Sequence, residues 1–303
     1  MTLRHGEKAL AASWDDAELF RYVYEPDDPQ LESPRPYFHP VRTLRGDVVS
    51  LYRPHDHVWH KGIALSLPNV GQENFWGGPT FRAGEYIQVH NDGSMRHESF
   101  DVGIGKDDTV RLDERLTWVT EAGETHITEH RRIGAAAWAA ESAWWLAFET
   151  TLTNVSGADI VIGSPTTEGR PDAGYGGLFW RGPRSFTGGL VVTPSGTGGD
   201  EVMGARGRWL GFTGQHDGHG RWSTLVFRDA GASFNHPGQW FVRSTPYACV
   251  CPAPFYETEY VFGAGSSLTL RYDVAIADGE LGPEGCAALV SRAAANDLLA
   301  SWD

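Results

Sequence analysis

With 303 residues, 41% hydrophobic and 21% charged, the chain has the composition of a globular protein with a substantial core, far from the low-hydrophobicity, high-charge regime of disordered chains. Its formal charge of −14, from 25 Lys plus Arg against 39 Asp plus Glu, repels phosphate backbones and anionic lipid and so argues against nucleic acid or membrane as partners. No stretch reaches the roughly 18–20 apolar residues that span a bilayer, the opening MTLRHGEKALAASWDD holds no signal-peptide core, and three cysteines without framework spacing read as reduced thiols; a cytoplasmic protein is expected.

The length is compatible with one domain over residues 1–303, since large β-sandwiches fold as one unit at this size. Along the chain, strand signals dominate. Residues 110–119, VRLDERLTWV, put Val110, Leu112, Leu116 and Trp118 on one face and Arg111, Asp113, Arg115 and Thr117 on the other, the alternation of a half-buried antiparallel strand. A turn at Ala122 and Gly123 leads to a hairpin partner over 125–133, with His126, Thr128, His130 and Arg132 on one side. Residues 144–154 and 159–163 flank Val155-Ser-Gly-Ala and read as a second hairpin. Further strands are predicted over 176–180, 209–213, 223–228, 239–243, 258–262 and 267–276, the last with Leu268, Leu270, Tyr272, Val274 and Ile276 in unbroken alternation. One helix is predicted, starting near Pro283 and running through GCAALVSRAAANDLLASW, to cap the sandwich from one end. This pattern predicts an all-β fold: a large two-sheet antiparallel sandwich with one C-terminal helix.

The densest polar run is Arg53-Pro-His-Asp-His-Val-Trp-His-Lys-Gly62, where each polar side chain must be solvated or paired. In an extended chain His55 and His57 share one face while Asp56, Val58 and His60 share the other, so the histidines meet only if the chain turns. The run fits a sugar-binding and proton-transfer site, a mononuclear metal site, or a hydrogen-bonded loop that orders a sheet edge. No metal is expected, because convergence of the three histidines is difficult and no partnering ligands are evident. No cofactor is expected either: GxSxG, P-loop, Rossmann, HExxH and EF-hand patterns are all missing. The second cluster is Gly174-Tyr-Gly-Gly-Leu-Phe-Trp-Arg-Gly-Pro-Arg184, preceded by Pro165-Thr-Thr-Glu168. Its glycines permit close approach to a ligand and its aromatics offer a stacking face, or else it is a glycine-bulged strand with core aromatics. His97 follows a turn expected at Asp92-Gly93, His236 precedes a proline, and residues 215–220 are expected to form an exposed loop outside the site. Cys249 and Cys251 read as buried structural thiols rather than a metal-binding pair.

Residues 151–163, TLTNVSGADIVIG, resemble the strand-turn-strand signature of galactose-mutarotase-like sandwiches, which implies a very large two-sheet fold whose concave face binds sugars. Four ordered motifs, Arg35-Pro-Tyr-Phe-His-Pro-Val41, Pro54-His-Asp-His-Val-Trp-His-Lys-Gly62, Asn74-Phe-Trp-Gly-Gly78 and Gly176-Gly-Leu-Phe-Trp-Arg-Gly-Pro-Arg184, look like a bacterial family labelled "methane oxygenase PmoA" over nearly the whole chain. That resemblance implies a setting in sugar catabolism and an association with sugar dehydrogenases of the glucose-fructose oxidoreductase type. It carries motif positions over to His57, His60, Phe75, Trp76, Trp180 and Arg181. The mutarotase His and Glu pair has no matching histidine motif in this sequence.

The function expected is therefore a carbohydrate-active enzyme that handles a sugar or glycoside by acid-base catalysis, with His57, His60 and Glu168 exchanging protons. His55, Asp56, Lys61, Trp76, His97, Trp180, Arg181 and His236 are the expected substrate contacts. Epimerisation, ring opening and elimination suit such groups, whereas hydrolysis would call for a second carboxylate. The alternatives are a non-catalytic sugar-binding or sensing protein and a metal-dependent enzyme using residues 55–60. The expected partner is a small-molecule carbohydrate, an oligomer is compatible with the sequence, and His57, His60, Glu168 and Arg181 are expected to share one pocket.

Overall fold

Alternation governs the architecture. In the strand Val110–Val119, Val110, Leu112, Leu116 and Trp118 are buried while Arg115 is exposed. Its antiparallel partner runs Thr125–Trp138, reached through a turn in which Gly123 takes a φ of 94° that suits glycine. The computed structural model describes residues 1–105, 107–231 and 233–299, and among these the strands form two main antiparallel sheets of nine and eleven strands.

The nine-stranded sheet runs in the order Gly196–Gly198, Leu190–Thr193, Trp209–Gln215, Trp222–Asp229, Ser267–Asp278, Ala143–Asn154, Thr125–Trp138, Val110–Val119 and Ser94–Ile104. The path of the eleven-stranded sheet is Thr2–His5, Ala9–Trp14, Ala17–Val23, Tyr37–Val41, Ile63–Val70, Gly177–Arg181, Cys249–Ala253 and Gln239–Arg243, with Ile160–Gly163, Tyr260–Phe262 and Glu73–Phe75 attached beside it. The main core lies between the sheets and holds Trp118, Trp144, Phe148, Trp180 and Leu270, each buried side chain of this kind stabilising by roughly 1.5–3 kcal/mol. Buried charge crosses that core in paired form. Arg131 Nε donates to Glu129 at 2.7 Å, Trp118 Nε1 donates to the same carboxylate at 2.6 Å, and the Tyr22 hydroxyl donates to Glu114. Such pairing offsets the desolvation that would otherwise make buried charge costly.

Three sequence expectations change. The stretch 144–163 is not a hairpin within one sheet: Ala143–Asn154 pairs with its neighbours in the nine-stranded sheet, while Ile160–Gly163 pairs with Tyr260–Phe262 and Ile63–Val70 in the other. Asn154 makes this corner, its Nδ2 donating to the carbonyls of Ala158 and Phe262. The helix spans Pro283–Ala295 and lies on the outer face of the nine-stranded sheet rather than at an end, with Cys286, Leu289 and Ala293 packed on Trp145, Val226 and Ala275; the last residues of the predicted helix, 300–302, fall outside the described residues. Asp92 and Gly93 form no tight turn but lead into the strand Ser94–Ile104. All three cysteines are free and buried. Among the described residues no helix is long and apolar enough to cross a membrane.

Candidate functional site

The eleven-stranded sheet carries a second apolar cluster on its outer face, and period-two alternation decides which side chains reach it. In Gly177–Arg181, Leu178 and Trp180 enter the inter-sheet core while Phe179 joins the outer cluster and Arg181 points the same way. In Gln239–Arg243, Trp240 and Val242 face inward and Phe241 outward. Cys249 and Cys251 floor this cluster, where burial pushes the Cys249 thiol up to about 12.

Two loops build walls over this floor. Residues 53–61 fold into two successive turns, with His57 N–H donating to the Pro54 carbonyl and His60 N–H to that of His57, and Arg53 N–H closes the loop onto the His60 carbonyl. Its ends are anchored by charge: Arg53 and Lys61 both bond Glu32, and Lys61 also lies 3.1 Å from Asp28. The buried Arg35 guanidinium holds the Trp59 carbonyl at 2.7 Å and Ser66 Oγ at 2.7 Å, and burial pulls this arginine down to about 10. In the second loop Asn74 Oδ1 accepts from the Trp76 and Gly77 amides. Gly77 and Gly78 have φ of 95° and 71°, and a Cβ on Gly78 would lie 2.7 Å from the Trp59 ring, so only glycine lets the two loops close on each other. The motifs around Arg35, His57 and Asn74 thus hold one construction together. The result is a cavity of about 480 Å³ walled by Trp59, Trp76, Tyr175 and Tyr247, with His57 and His60 on one side.

The double turn brings His57 and His60 into a parallel stack, ring centroids 4.6 Å apart and planes 15° apart. Behind them Arg181, fully buried, donates Nη1 to His60 Nδ1 at 2.9 Å, donates Nη2 to Asp56 at 3.1 Å and lies 3.9 Å from the centroid of the Tyr247 ring. A guanidinium can only donate, so His60 Nδ1 accepts and the neutral ring carries its proton on Nε2. Burial, with His57 and the cations Arg181, Arg35 and Lys61 nearby, drives His60 well below the usual imidazole range, and it is neutral at pH 7. Burial lowers His57 as well, against the pull of Asp56, whose Oδ2 lies 3.4 Å from His57 Nδ1. Asp56 itself is opposed by burial, but its hydrogen bonds to Arg181 outweigh this and hold it at about 2. With that carboxylate ionised beside Nδ1, a neutral His57 keeps its proton there and leaves the Nε2 lone pair free. The stack therefore joins an acceptor on His57 to a donor on His60.

The structure brings His57, His60 and Trp76 to the cavity, with Asp56 and Arg181 behind the imidazoles. Arg181 is sealed from the cavity by this packing and bonds His60 and Asp56. Other expected contacts lie elsewhere. Glu168 is exposed and lines a separate concavity with Asn69, His126 and Glu259, because the turn after Gly163 carries it past the sheet edge. Lys61 is buried against Asp28 and Glu32 beneath the loop. Trp180 faces the inter-sheet core, its Nε1 donating to the Val49 carbonyl, since it sits one residue out of register with Phe179. His97 pairs with Glu114 at 2.7 Å on the nine-stranded sheet, and His236 lies 3.0 Å from Asp229. His55 is exposed and accepts from Arg184 rather than joining the stack. The glycines at 174 and 177 make room for Tyr256 and for the Pro252 backbone, not for a ligand. Sequence reasoning quoted Trp59 and Tyr175 without selecting them and passed over Arg170, Phe241, Arg243 and Tyr247; the alternation of Phe241 and Arg243 with two core residues was the available signal.

The family model described as "Family of unknown function (DUF6807)" matches residues 9–291. The chain belongs to the DUF6807 family. No curated protein matches this DUF6807 chain in sequence. Among solved structures it is similar to an α-galactosidase from Geobacillus stearothermophilus in complex with raffinose, at 12% identity and a TM-score of 0.42, over 94% of this chain and 41% of that one. An α-galactosidase from Lactobacillus brevis gives 8% identity and a TM-score of 0.42, over 92% and 39%. A galactose mutarotase related enzyme from Lactobacillus acidophilus gives 8% identity and a TM-score of 0.42, over 90% and 100%. The DUF6807 chain spans about two fifths of the length of the α-galactosidases it matches.

Proposed function

We propose that the cavity over the eleven-stranded sheet is an active site that takes a sugar or sugar derivative and moves a proton on it. The observation that carries this reading is the stacked His57 and His60 pair, one ring presenting a lone pair and the other an N–H, set in a wall of four aromatic side chains. Aromatic faces cover the apolar face of a pyranose, and a volume of about 480 Å³ suits a ligand of one or two sugar rings. His57 Nε2 acts as general base, oriented by Asp56, while the His60 Nε2–H donates to the oxygen on which charge develops. Abstraction of a proton beside a carbonyl, with epimerisation or elimination following, uses both groups; ring opening uses the same pair on a hydroxyl and the ring oxygen. Among the described residues no carboxylate lines the cavity, so hydrolysis by a carboxylate pair has no support there. A place beside a sugar dehydrogenase of the glucose-fructose oxidoreductase type belongs to the same proposal, because oxidation to a keto-sugar creates the acidic C–H that such a base removes.

The test is an NMR screen of aldoses, keto-sugars and their glycosides in deuterated buffer, reading turnover and solvent-deuterium incorporation. We expect turnover of at least one class, and a loss of about 100-fold or more in His57→Ala with the fold retained. Tight binding without turnover, unchanged in His57→Ala, would instead identify a sugar-binding protein.

A further inference from the structure

Of the cations near the cavity, Arg181 and Arg184 are both committed to Asp56. Two others line the cavity and make no ion pair with Asp or Glu among the described residues: Arg170 and Arg243. Both are half-buried and braced on aromatic rings. The Arg170 guanidinium lies 4.8 Å from the centroid of the Tyr86 ring and donates Nη1 to the Tyr86 hydroxyl, which in turn shares a 2.8 Å hydrogen bond with Tyr175. The Arg243 guanidinium lies 5.5 Å from the centroid of Phe241. In a chain of formal charge −14, two guanidiniums without an acidic partner among the described residues, in a cavity that no described carboxylate lines, form a local positive field that selects for anions.

Resting on the reading of this cavity as the ligand site, we infer that the substrate is an acidic sugar whose carboxylate is held by Arg170 and Arg243. Planar guanidinium forks match a carboxylate through paired N–H donors, and bracing on rings leaves little freedom to lose on binding. A phosphate is the poorer match. Phosphate sites recruit backbone amides from glycine turns, and the amides of Gly77 and Gly78, the glycine pair at this wall, already donate to Asn74 Oδ1 and to the Leu31 carbonyl. The acid group thus sits on the arginine side and the reacting carbon faces the imidazole stack.

The experiment is calorimetric titration of matched probes: glucose against glucuronate, galactose against galacturonate, glucose 6-phosphate, and benzoate as a non-sugar carboxylate. We expect each uronate to bind about tenfold or more tighter than its neutral parent. The preference should shrink in Arg170→Gln and in Arg243→Gln and weaken with added salt, with unchanged circular dichroism in both variants. Neutral sugars binding as tightly as the uronates, or a preference untouched by both variants, would overturn the carboxylate assignment and leave the sugar reading standing. Glucose 6-phosphate binding above glucuronate would overturn it in favour of phosphate. Arg243-dependent binding of benzoate with no sugar bound would support the carboxylate and end the sugar reading, and failure of every probe would overturn both.

Discussion

The two outer faces of the sandwich meet the same problem in different ways. On the nine-stranded sheet Trp145, Ala147, Val226 and Ala275 face outward, and the helix Pro283–Ala295 packs over them with Cys286, Leu289 and Ala293 into one buried cluster. On the eleven-stranded sheet Phe179, Phe241, Cys249 and Cys251 face outward, and two polar loops arch over them to leave a cavity. A regular element closes a face with apolar contacts alone, whereas here a loop brings His57, His60 and Asp56 over the floor and strand ends supply Arg181 and Arg243. On the proposed reading, the covered face contributes stability and the open face carries the chemistry.

Substitution should separate the two. Leu289→Ala removes a side chain buried between the helix and its sheet, and we expect a loss of about 2–5 kcal/mol in urea unfolding with ligand affinity at the cavity unchanged in the folded protein. His57→Ala, in a loop beside open space, should do the reverse. A Leu289→Ala protein that folds but no longer binds the ligand would couple the faces and break the comparison.

The covered face was partly legible in the sequence and the open one much less so. The strand Val110–Val119 follows from its alternation and the C-terminal helix from its proline start and alanine-rich run, both local properties. Whether residues 144–163 turn back within a sheet or cross between sheets depends on Asn154 bonding to Phe262, more than a hundred residues away, and no local pattern encodes that. In the site, the polar density of residues 53–62 singled out the loop that walls the cavity, and a turn was the condition for the histidines to meet; the structure satisfies it for His57 and His60 but sends His55 to Arg184. Lys61 and Arg181 were misread for one reason. A charged residue in a motif looks like a ligand group, and only tertiary structure shows that its partners are Glu32 and Asp56. Trp180 and Phe179 differ by one residue and hence by a whole face, which the glycines before them obscured.

Acid should also distinguish the faces. Burial first, then neighbouring cations, lowers His39 to about 4, and His57 and His60 are lowered too. Between those folded values and about 6.5 the unfolded chain binds protons that the folded one refuses, so this stabilisation is complete above about pH 6.5 and is lost as pH falls below it. The helix-covered cluster contains no histidine. We expect hydrogen exchange at pH 5 to lose protection in residues 53–61 before residues 283–295, and His60→Gln to flatten the dependence of stability on pH between 7.5 and 5. Equal slopes in wild type and His60→Gln would show that the buried imidazole does not govern the acid response of this face.

The smallest effect belongs to Glu168. As the one carboxylate that the sequence put forward as a catalytic partner, it sets the boundary of the open face. It follows a turn in which Thr167 Oγ1 donates to the Ser164 carbonyl, its own amide bonds the same carbonyl at 3.3 Å, and its side chain is exposed on a concavity shared with Glu259 and His126. The Glu168→Gln change keeps the shape and removes only a solvated charge, so we expect stability within about 0.5 kcal/mol of the wild type and unchanged binding and turnover at the His57 cavity. The matched measurement is kcat and KM on whichever sugar the screen finds, for Glu168→Gln beside His57→Ala. If Glu168→Gln lost turnover as steeply as His57→Ala while its KM held, the proton chemistry would extend beyond the imidazole stack. The loop that carries Glu168 would then have to move onto the cavity during the reaction, and the division between a closed face and an open one would have to be redrawn.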